Sequence, residues 1–483
     1  RSNDPETIRQ HQFTLAAGAS FTLDYNVFAD FVPGTGRATL ALGPIARFNA
    51  PGILASLDRY PYGCTEQIAS RALPLLYFEE LASALGNAGD AGGIRQRLQE
   101  AVGQVLLNQS SSGGFGLWYP DSGDLWLDAF VTDFLSRARA QGYDVPETAF
   151  RSALDNLRNQ LNYAAEFDSD GGPFAYAMMV LAREGAAVLG DLRYYADVKA
   201  DAFDTPIAAA QLGAALAFYG DQRRADAMFR QAADILSRDG TLAGSGQEAQ
   251  LWRADYGSGL RDATALLALA AEAGSEAVPQ DAIGQSVAAH LAARRLSTQE
   301  ATWALLASHA ILATDAGARF TVDGEPLAGP LVRALADEGG GGTAQVITNA
   351  GQTEATLTLS TFGVPSVAEP AGGNGYAITR TWYTLEGEAV DLSSVAQGTR
   401  LVAVVEVTPF GGGGARLMVN DPLPAGFEID NPNLLRGGDI AAFAWLDAIG
   451  DTRSVEFRQD RFLAAVDWTS AEPFRLAYVV RAV

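Results

Sequence analysis

Short runs rich in Phe, Val, Thr and Leu occupy the first 50 positions of the chain. They lie at 13–15, 21–31 and 37–42, and glycine-containing turns such as 33–36 separate them. Apolar runs of this length between turn residues are typical of β-strands. Residues 1–50 are therefore predicted to form β-structure.

From about residue 51 to about residue 313, apolar residues recur at helical spacing in stretches rich in Ala, Leu, Arg and Glu. Residues 207–219 are apolar almost all round, which is typical of a helix buried on both sides. Glycine-rich segments recur at predicted helix junctions, at 113–118, 170–174 and 256–259. Paired helices with such turns predict an α/α toroid, in which inner and outer helices alternate.

After Phe320 the pattern returns to β, with predicted strands at 320–324, 344–348 and 354–361. Residues 365–375 are rich in Pro, Gly and Ala and are predicted to be a linker. The order β, α, β predicts a helical domain inserted into a β domain, with a β-sandwich after it. Strands of the sandwich are predicted at 376–383, 399–408, 415–420, 453–457, 461–466 and 474–481.

The chain has a net charge of −23, from 57 acidic and 34 basic residues. Nucleic-acid binding requires clustered Lys and Arg, so this balance argues against it. No apolar run reaches the roughly 18 residues that a membrane span needs. Residues 1–14 lack the apolar core of a signal peptide. We expect either a cytosolic protein or a piece of a longer one, and the immediate strand-like pattern favours the piece.

A single cysteine, Cys64, excludes an internal disulfide and a cysteine-rich metal site. The three histidines, His11, His290 and His309, are scattered, so a histidine-ligated zinc site is not expected. The sequence therefore predicts no metal and no cofactor.

The segment most informative about chemistry is Arg-Tyr-Pro-Tyr-Gly-Cys-Thr-Glu-Gln, residues 59–67. Pro61 and Gly63 prevent a regular helix before Cys64, so residues 64–67 are predicted to form a first helical turn. Residues three apart lie on the same side of such a turn. The Cys64 sulfur can therefore reach the side-chain carbonyl of Gln67, and loss of ammonia would leave an intramolecular thioester.

A thioester needs closeness of the two groups, protection from water and a favourable electrostatic potential. The positive end of a helix dipole supplies the potential. Tyr60 and Tyr62, with Trp118 and Tyr119 as distant partners, are candidates for an aromatic shield. An arbitrary Cys-x-x-Gln is more often a buried cysteine and an unrelated glutamine, so the prediction depends on the longer string.

That string, Tyr-Pro-Tyr-Gly-Cys-Thr-Glu-Gln, closely resembles the thioester motif of bacterial α2-macroglobulins, relatives of complement proteins and of animal α2-macroglobulin. Cys64, Glu66 and Gln67 fit the family pattern Cys-x-Glu-Gln, and Gly63 precedes it. The resemblance implies that Cys64 and Gln67 are joined and that the two tyrosines shield the bond. Residues 113–118 and the segment after them also resemble the family's next helical hairpins.

The resemblance covers essentially the whole chain and implies four segments. Residues 1–50 and 316–368 would form a split CUB-like β domain, and 51–315 the inserted thioester domain. Residues 376–483 would form a terminal macroglobulin-like, receptor-binding-like β domain. The chain would then be a fragment, since full-length members carry further macroglobulin domains and a bait segment.

The family's function implies a broad-spectrum protease inhibitor, not an enzyme, that captures attacking proteases covalently through their lysine amines. It also implies a periplasmic parent protein with a lipid anchor in the inner membrane, with a penicillin-binding cell-wall synthase as a further partner. No histidine lies near the motif in the sequence. Direct attack by amines is therefore expected, without histidine-assisted transfer.

Two other classes of function remain open from the sequence. An α/α-toroid carbohydrate-active enzyme would use paired carboxylates, and acids near the glycine-rich segments are candidates, although such acids are also typical of turns and helix caps. A scaffold that never forms the bond is the other class, and the presence of both Cys64 and Gln67 speaks against it. The candidate acids are Asp121, Asp124, Asp128, Asp168 and Asp170.

Overall fold

The computed structural model forms two compact units, one within residues 7–363 and one spanning Val364–Val483. The described residues are 6–58, 63–79, 91–164, 167, 169–238, 253, 255–291, 296–312, 319–327, 331–337, 344–368, 370–373, 375–411, 415–430, 443, 445–446 and 450–483.

The first unit contains a β domain whose strands come from both sides of the helical segment. Two antiparallel four-stranded sheets have the orders β1-β8-β3-β6 and β2-β7-β4-β5. Strand β1 pairs along its whole length with β8, so Thr7 lies opposite Gly363 and Leu15 opposite Ala355. The helical segment is therefore an insertion into this β domain. The strands are β1 (Thr7–Leu15), β2 (Ser20–Leu23), β3 (Arg37–Leu42), β4 (Phe320–Val322), β5 (Glu325–Leu327), β6 (Leu331–Ala336), β7 (Gln345–Asn349) and β8 (Ala355–Gly363).

Several features of this β domain differ from the sequence prediction, and neither β5 nor the start of β1 at Thr7 was predicted. The predicted strand at 21–31 ends at Leu23, because Asp24 accepts a hydrogen bond from the backbone N–H of Asn26 at 2.9 Å and caps a 3₁₀ turn over Tyr25–Phe28. Strand β6, Leu-Val-Arg-Ala-Leu-Ala, was not predicted, because its composition favours a helix. Pairing with β3 decides its conformation.

The inserted segment is a ring of paired helices. Among the described helices, those with odd numbers from α3 to α13 form the inner ring, in which each packs against the next and α13 packs back against α3. Even-numbered helices lie outside them. The helices are α1 (Pro44–Arg47), α2 (Ala50–Asp58), α3 (Thr65–Leu75), α4 (Ala91–Leu107), α5 (Leu125–Ala140), α6 (Glu147–Tyr163), α7 (Gly172–Arg183), α8 (Leu189–Val198), α9 (Pro206–Phe218), α10 (Gln222–Arg238), α11 (Gly259–Glu272), α12 (Gln280–Leu291) and α13 (Thr298–Leu312).

Burial separates the inner helices from the outer ones. In α9, every residue from Pro206 to Leu216 is buried, as its apolar sequence predicts. Thr205 caps this helix by accepting a hydrogen bond from the N–H of Ala208 at 3.3 Å. The outer helix α10 buries only one face, with Met228 and Phe229 inward and charged residues outward. The parallel inner helices thus place their N-terminal ends together at one end of the ring.

The second unit is a β-sandwich. Its sheets have the orders β12-β15-β10-β9 and β11-β14-β13, and the layer between them buries Trp382, Val405, Phe462 and Tyr478. The short β12, which pairs with the end of β15, was not predicted. The strands are β9 (Tyr376–Tyr383), β10 (Arg400–Pro409), β11 (Ala415–Pro422), β12 (Phe427–Ile429), β13 (Ser454–Phe457), β14 (Arg461–Trp468) and β15 (Phe474–Ala482).

Within the described part of the chain, no helix combines the length and the apolar character needed to cross a membrane.

Candidate functional site

Cys64 and Gln67 lie together at the N-terminal end of α3. Cys64 is the N-cap, with the extended backbone angles φ −70° and ψ 161°, and Gln67 is the third helical residue. The two residues form a capping box, in which the Cys64 side chain accepts from the backbone N–H of Gln67 and the Gln67 side chain accepts from that of Cys64. The second hydrogen bond, from Cys64 N to Gln67 Oε1, measures 3.1 Å. The Gln67 side-chain carbonyl is thus folded back onto Cys64.

This turn is withdrawn from solvent. Cys64 is 5% exposed and Gln67 9%, and the intervening Thr65 and Glu66 are 0% and 3% exposed. A helix N-terminus also carries a partial positive charge, which favours developing negative charge on a nearby carbonyl oxygen or sulfur. The two groups that the sequence singles out therefore lie close together in a nearly dry and electropositive place.

Thr65, between the two residues, is held by the glycine-rich segment 113–118. Its N–H donates to Leu117 O at 2.9 Å, and its hydroxyl donates to Gly116 O at 2.6 Å. Asn108, just after α4, donates from Nδ2 to the same hydroxyl at 2.8 Å. The carbonyls of the glycine-rich segment thus satisfy a helix N-terminal N–H that would otherwise lack a partner.

Glycine is required at two positions of this segment. Gly113 has a left-handed φ of +93°, and a Cβ there would lie 2.1 Å from Ser152 O. A Cβ on Gly116 would lie 2.0 Å from Tyr119 O. The chain can therefore make this tight path, and bring the Gly116 carbonyl to Thr65, only with glycine.

Asp128 on α5 is hydrogen-bonded to the same segment. Its Oδ1 accepts from the backbone N–H of Phe115 at 2.6 Å, while its Oδ2 accepts from Asn156 at 2.8 Å and from Gln160 at 2.6 Å. Burial raises the pKa of Asp128, and these three hydrogen bonds only partly offset that effect. The carboxylate is used entirely in joining the glycine-rich segment to α5 and α6.

Glu66 joins α3 to the N-terminal end of α13. It accepts from Ser70 Oγ at 2.7 Å, from Thr298 Oγ1 at 2.9 Å and from Gln299 Nε2 at 2.7 Å. Thr302 on α13 also donates to the backbone carbonyl of Ser70 at 2.9 Å. The motif glutamate is therefore a buried acceptor between two inner helices, and it does not face solvent.

The three histidines lie elsewhere. His309 is near the C-terminal end of α13 and stacks on Tyr77, with ring centroids 4.6 Å apart, at the opposite end of α3 from Cys64. His290 lies on the outer helix α12, and His11 lies on β1. The structure thus brings no histidine to the Cys64–Gln67 turn.

The predicted aromatic shield is only partly described. Tyr60 and Tyr62 lie outside the described residues. Trp118 is half-buried next to Leu117, which contacts Thr65, whereas Tyr119 is 61% exposed. Shielding by these four side chains stays a prediction.

Thr65, Asn108, Gln299 and Thr298 were not singled out from the sequence. Thr65 lies in the turn itself, and the other three contact the turn from 43 or more residues away in sequence. Thr65 and Asn108 could have been found by their closeness to the motif and to the glycine-rich segment, whereas Thr298 and Gln299 carried no sequence signal.

The candidate acids of a carbohydrate-active enzyme serve structural roles where they are described. Asp124 is the N-cap of α5 and accepts from the N–H of Leu127 at 3.0 Å, and Asp121 accepts from the N–H of Ser122 at 2.8 Å. Asp170 lies in a turn with φ +59°, and Asp168 lies outside the described residues. A surface cavity of about 660 Å³ beside α10 is lined by none of the described candidates. No cluster of three potential metal ligands is found among the described residues.

A closed ring of paired helices inserted into a β domain, with a Cys-x-Glu-Gln turn capping its first inner helix, defines the thioester-domain class of macroglobulins. Residues 38–246 match the sequence model of the A-macroglobulin TED domain. Residues 375–483 match that of the bacterial α2-macroglobulin MG10 domain.

Curated relatives match along almost the whole chain. The α2-macroglobulin of Escherichia coli (strain K12) is 29% identical over 507 residues, covering 97% of this chain and 29% of the relative. That of Xylella fastidiosa (strain Temecula1) is 26% identical, covering 99% and 30%. The chain therefore spans about 30% of the length of these relatives.

Solved structures agree with these matches. Native E. coli α2-macroglobulin, from domain MG7 to the C-terminus, superposes with a TM-score of 0.80 at 28% identity, covering 99% of this chain and 77% of that one. Salmonella α2-macroglobulin reacted with methylamine gives 0.81 at 31% identity, covering 99% and 31%. The chain is similar to α2-macroglobulins along almost its whole length.

Proposed function

We propose that Cys64 and Gln67 form an intramolecular thioester, and that the protein uses it to capture proteases covalently. The observation that carries the proposal is the capping box at the start of α3, where Gln67 Oε1 lies 3.1 Å from Cys64 N and both side chains are nearly buried. This arrangement holds the glutamine carbonyl beside the cysteine before any reaction. Closeness and exclusion of water are two of the three conditions that such a bond needs.

The formation step conserves atoms without any oxidant. The Cys64 sulfur adds to Gln67 Cδ, the Cδ–N bond breaks, and the side-chain nitrogen leaves as ammonia with the thiol proton. The product is a Cys64 Sγ–Gln67 Cδ thioester. Partial positive charge at the N-terminal end of α3 stabilises the oxyanion that forms on the way.

Capture of a protease breaks the thioester. A protease that cleaves the longer protein exposes the bond, and one of its lysine amines attacks Gln67 Cδ. The carbon–sulfur bond breaks, an amide joins the protease to Gln67, and Cys64 regains a thiol. The partial positive charge at the N-terminal end of α3 stabilises the negative charge on the departing sulfur. The protein acts here as a trap that is consumed, and not as an enzyme that turns over.

Amines are the expected nucleophiles. The structure brings no histidine to the Cys64–Gln67 turn, so hydroxyl groups would have no neighbouring imidazole to activate them. The Salmonella relative described above was reacted with methylamine, a small amine of the same reactivity. This relative supports the proposal that a primary amine can reach the equivalent position.

The family also motivates a location and a further partner. We propose that the longer protein is periplasmic, anchored by a lipid to the inner membrane, and acts beside a penicillin-binding cell-wall synthase. Cell fractionation with an antibody to this chain tests the location, and recovery in the cytosol would exclude it. Co-purification with the synthase from detergent-solubilised membranes tests the partner.

Intact-mass measurement tests the thioester. The full chain, purified without amines, is expected about 17 Da below its sequence mass, and methylamine should bring it about 14 Da above that mass. Cys64→Ala is the control, with no mass loss and no methylamine uptake. A gently purified full-length protein with a freely titrating Cys64 thiol and an unmodified Gln67 would exclude the mechanism.

A further inference from the structure

Three hydrogen bonds connect Asp128 to the Cys64–Gln67 turn through the glycine-rich segment. Asp128 accepts from Phe115 N, the next residue, Gly116, accepts from the Thr65 hydroxyl, and Leu117 O accepts from Thr65 N. Thr65 lies directly after Cys64 and within the same helical turn as Gln67. Asp128 touches neither reacting residue, so any effect it has on them passes through the glycine-rich segment.

The burial and hydrogen bonds of Asp128 hold this segment in place. Both of its oxygens are used, with one donor on Oδ1 and two on Oδ2, and the residue is 1% exposed. Gly114 leaves the space that the carboxylate occupies, because a Cβ there would lie 3.1 Å from Asp128 Oδ2. All three donors are neutral, so the carboxylate supplies acceptors without bringing a cation near Cys64.

Bond formation is sensitive to small displacements. Two groups react at an enhanced rate only when they are held in contact, and a misplacement of about 1 Å can reduce the rate about a hundredfold. The Thr65 N–H and hydroxyl are fixed by two carbonyls of the segment that Asp128 anchors. Loosening that segment would therefore let Thr65, and the turn around it, drift from the geometry that brings sulfur to Cδ.

We propose that Asp128 is a positioning residue for the thioester, which it serves by holding residues 115–117 against Thr65. This inference rests on the proposed function. It assigns to Asp128 a role other than the general acid or base that a carbohydrate-active enzyme would require.

Asp133 on the same helix provides a matched control. It is 0% exposed and also accepts three hydrogen bonds from side chains, from Arg137 Nε at 3.0 Å, Tyr176 OH at 3.0 Å and Arg183. These partners lie toward the C-terminal end of α5, away from Cys64. We expect a substitution there to disturb the fold at least as much as one at Asp128, without removing any contact to the glycine-rich segment.

The experiment compares Asp128→Asn with Asp133→Asn in the full chain. The fraction with the ammonia loss is measured by intact mass, the rate of methylamine uptake by mass over time, and the Tm by calorimetry. We expect Asp128→Asn to lower the thioester fraction about tenfold. Asp133→Asn should lower the Tm at least as much while keeping the wild-type fraction.

A second pair tests the other end of the contact chain, in case Asp128→Asn fails to fold. Thr65→Val removes the hydroxyl at nearly constant volume, and Thr65→Ser keeps it. We expect Thr65→Val to lose most of the thioester and Thr65→Ser to recover most of what Thr65→Val loses.

The outcomes separate this inference from the proposed function. A wild-type chain without ammonia loss overturns both. A wild-type chain with the thioester overturns the inference alone if Asp128→Asn matches it, or if the two aspartate variants lose the thioester in proportion to their Tm. Equal thioester fractions in Thr65→Val and Thr65→Ser would also overturn it.

Discussion

Helix α5 buries two aspartates, Asp128 in its first turn and Asp133 near its middle, and their partners differ in charge. Near the N-terminal end, Asp128 receives only neutral donors, from one backbone amide and two side-chain amides. Five residues later, Asp133 pairs with the guanidinium groups of Arg137 and Arg183. The same residue type on the same buried helix is satisfied by amides in the first turn and by cations near the middle.

The cluster around Asp133 extends across the ring. Arg137 donates to both oxygens of Glu272, at 2.8 and 3.0 Å, and to Tyr77 OH at 3.0 Å. Burial raises the pKa of Glu272, but the charge and hydrogen bonds of Arg137, together with the charges of Arg183 and His309, lower it by more, so the pKa is lowered overall. Burial lowers the pKa of His309, which stacks on Tyr77. This cluster ties inner helices together by charge.

The difference follows the chemistry expected around each aspartate. Amides fix backbone positions without adding a further charge near Cys64, where the helix N-terminus already supplies a positive potential. Ion pairs around Asp133 can be strong because no reacting group lies there. The comparison assigns positioning of the Cys64–Gln67 turn to Asp128 and cohesion to the cluster around Asp133, and three predictions test it.

The largest expected effect is in the cluster around Asp133. Asp133→Ala would remove the carboxylate that pairs with Arg183 and with Nε of Arg137, and would leave these groups buried without it. We expect the free energy of unfolding to fall by about 3–5 kcal/mol. Urea denaturation monitored by circular dichroism measures this loss. The molecules that remain folded should still lose ammonia. A cost below about 1 kcal/mol would contradict the assignment of cohesion to this cluster.

A smaller effect is expected from the glycine-rich segment. Gly116→Ala would place a Cβ 2.0 Å from Tyr119 O, and overpacking of this kind costs about 1–3 kcal/mol. The displaced Gly116 carbonyl should also reduce the thioester fraction. Denaturation and intact mass, measured on the same sample, separate the two effects.

Gly103→Ala is the matched control for that substitution. Gly103 lies inside α4 and a Cβ there meets nothing within 4 Å, so alanine should stabilise the protein by about 0.5–1 kcal/mol. It should leave the thioester fraction unchanged. If both glycine variants lowered that fraction equally, the segment 113–118 would have no special part in forming the bond.

The smallest expected effect is a difference in pH dependence. The raised pKa of Asp128 means that the folded state binds this proton more tightly, so its stabilisation is present below the ordinary pKa and is lost as pH rises. The lowered pKa of Glu272 acts in the opposite direction, and its stabilisation is lost as pH falls through the folded pKa. Asp128→Asn should therefore lower the free energy of unfolding more at low pH than at neutral pH. Glu272→Gln should lower it less at low pH than at neutral pH.

Urea unfolding of the wild type and the two variants, between about pH 3 and pH 7, measures these differences. If the stability costs of Asp128→Asn and Glu272→Gln changed with pH in the same direction, the contrast between the two clusters would be contradicted.

Local pattern was enough to predict much of the fold. The all-round apolar sequence at 207–219 predicted an inner helix, because only burial on every side tolerates it. Alternation in Phe474, Leu476, Tyr478 and Val480 predicted the strand β15, where these four side chains share one core. Local pattern gave the wrong structure where another interaction determined the conformation. The Asp24 cap ended a predicted strand, and pairing with β3 made β6 a strand.

By itself, the sequence determined which two residues share the first turn of α3, because a spacing of three residues in a helix fixes which side chains meet. It also determined where glycine must bend the chain. Only the tertiary structure decided that Asp128 anchors the glycine-rich segment, that Thr65 receives its carbonyls and that Glu66 accepts from Gln299, 233 residues away. Such contacts depend on how the ring closes, and closure results from the summed burial of many helices, which no local pattern records.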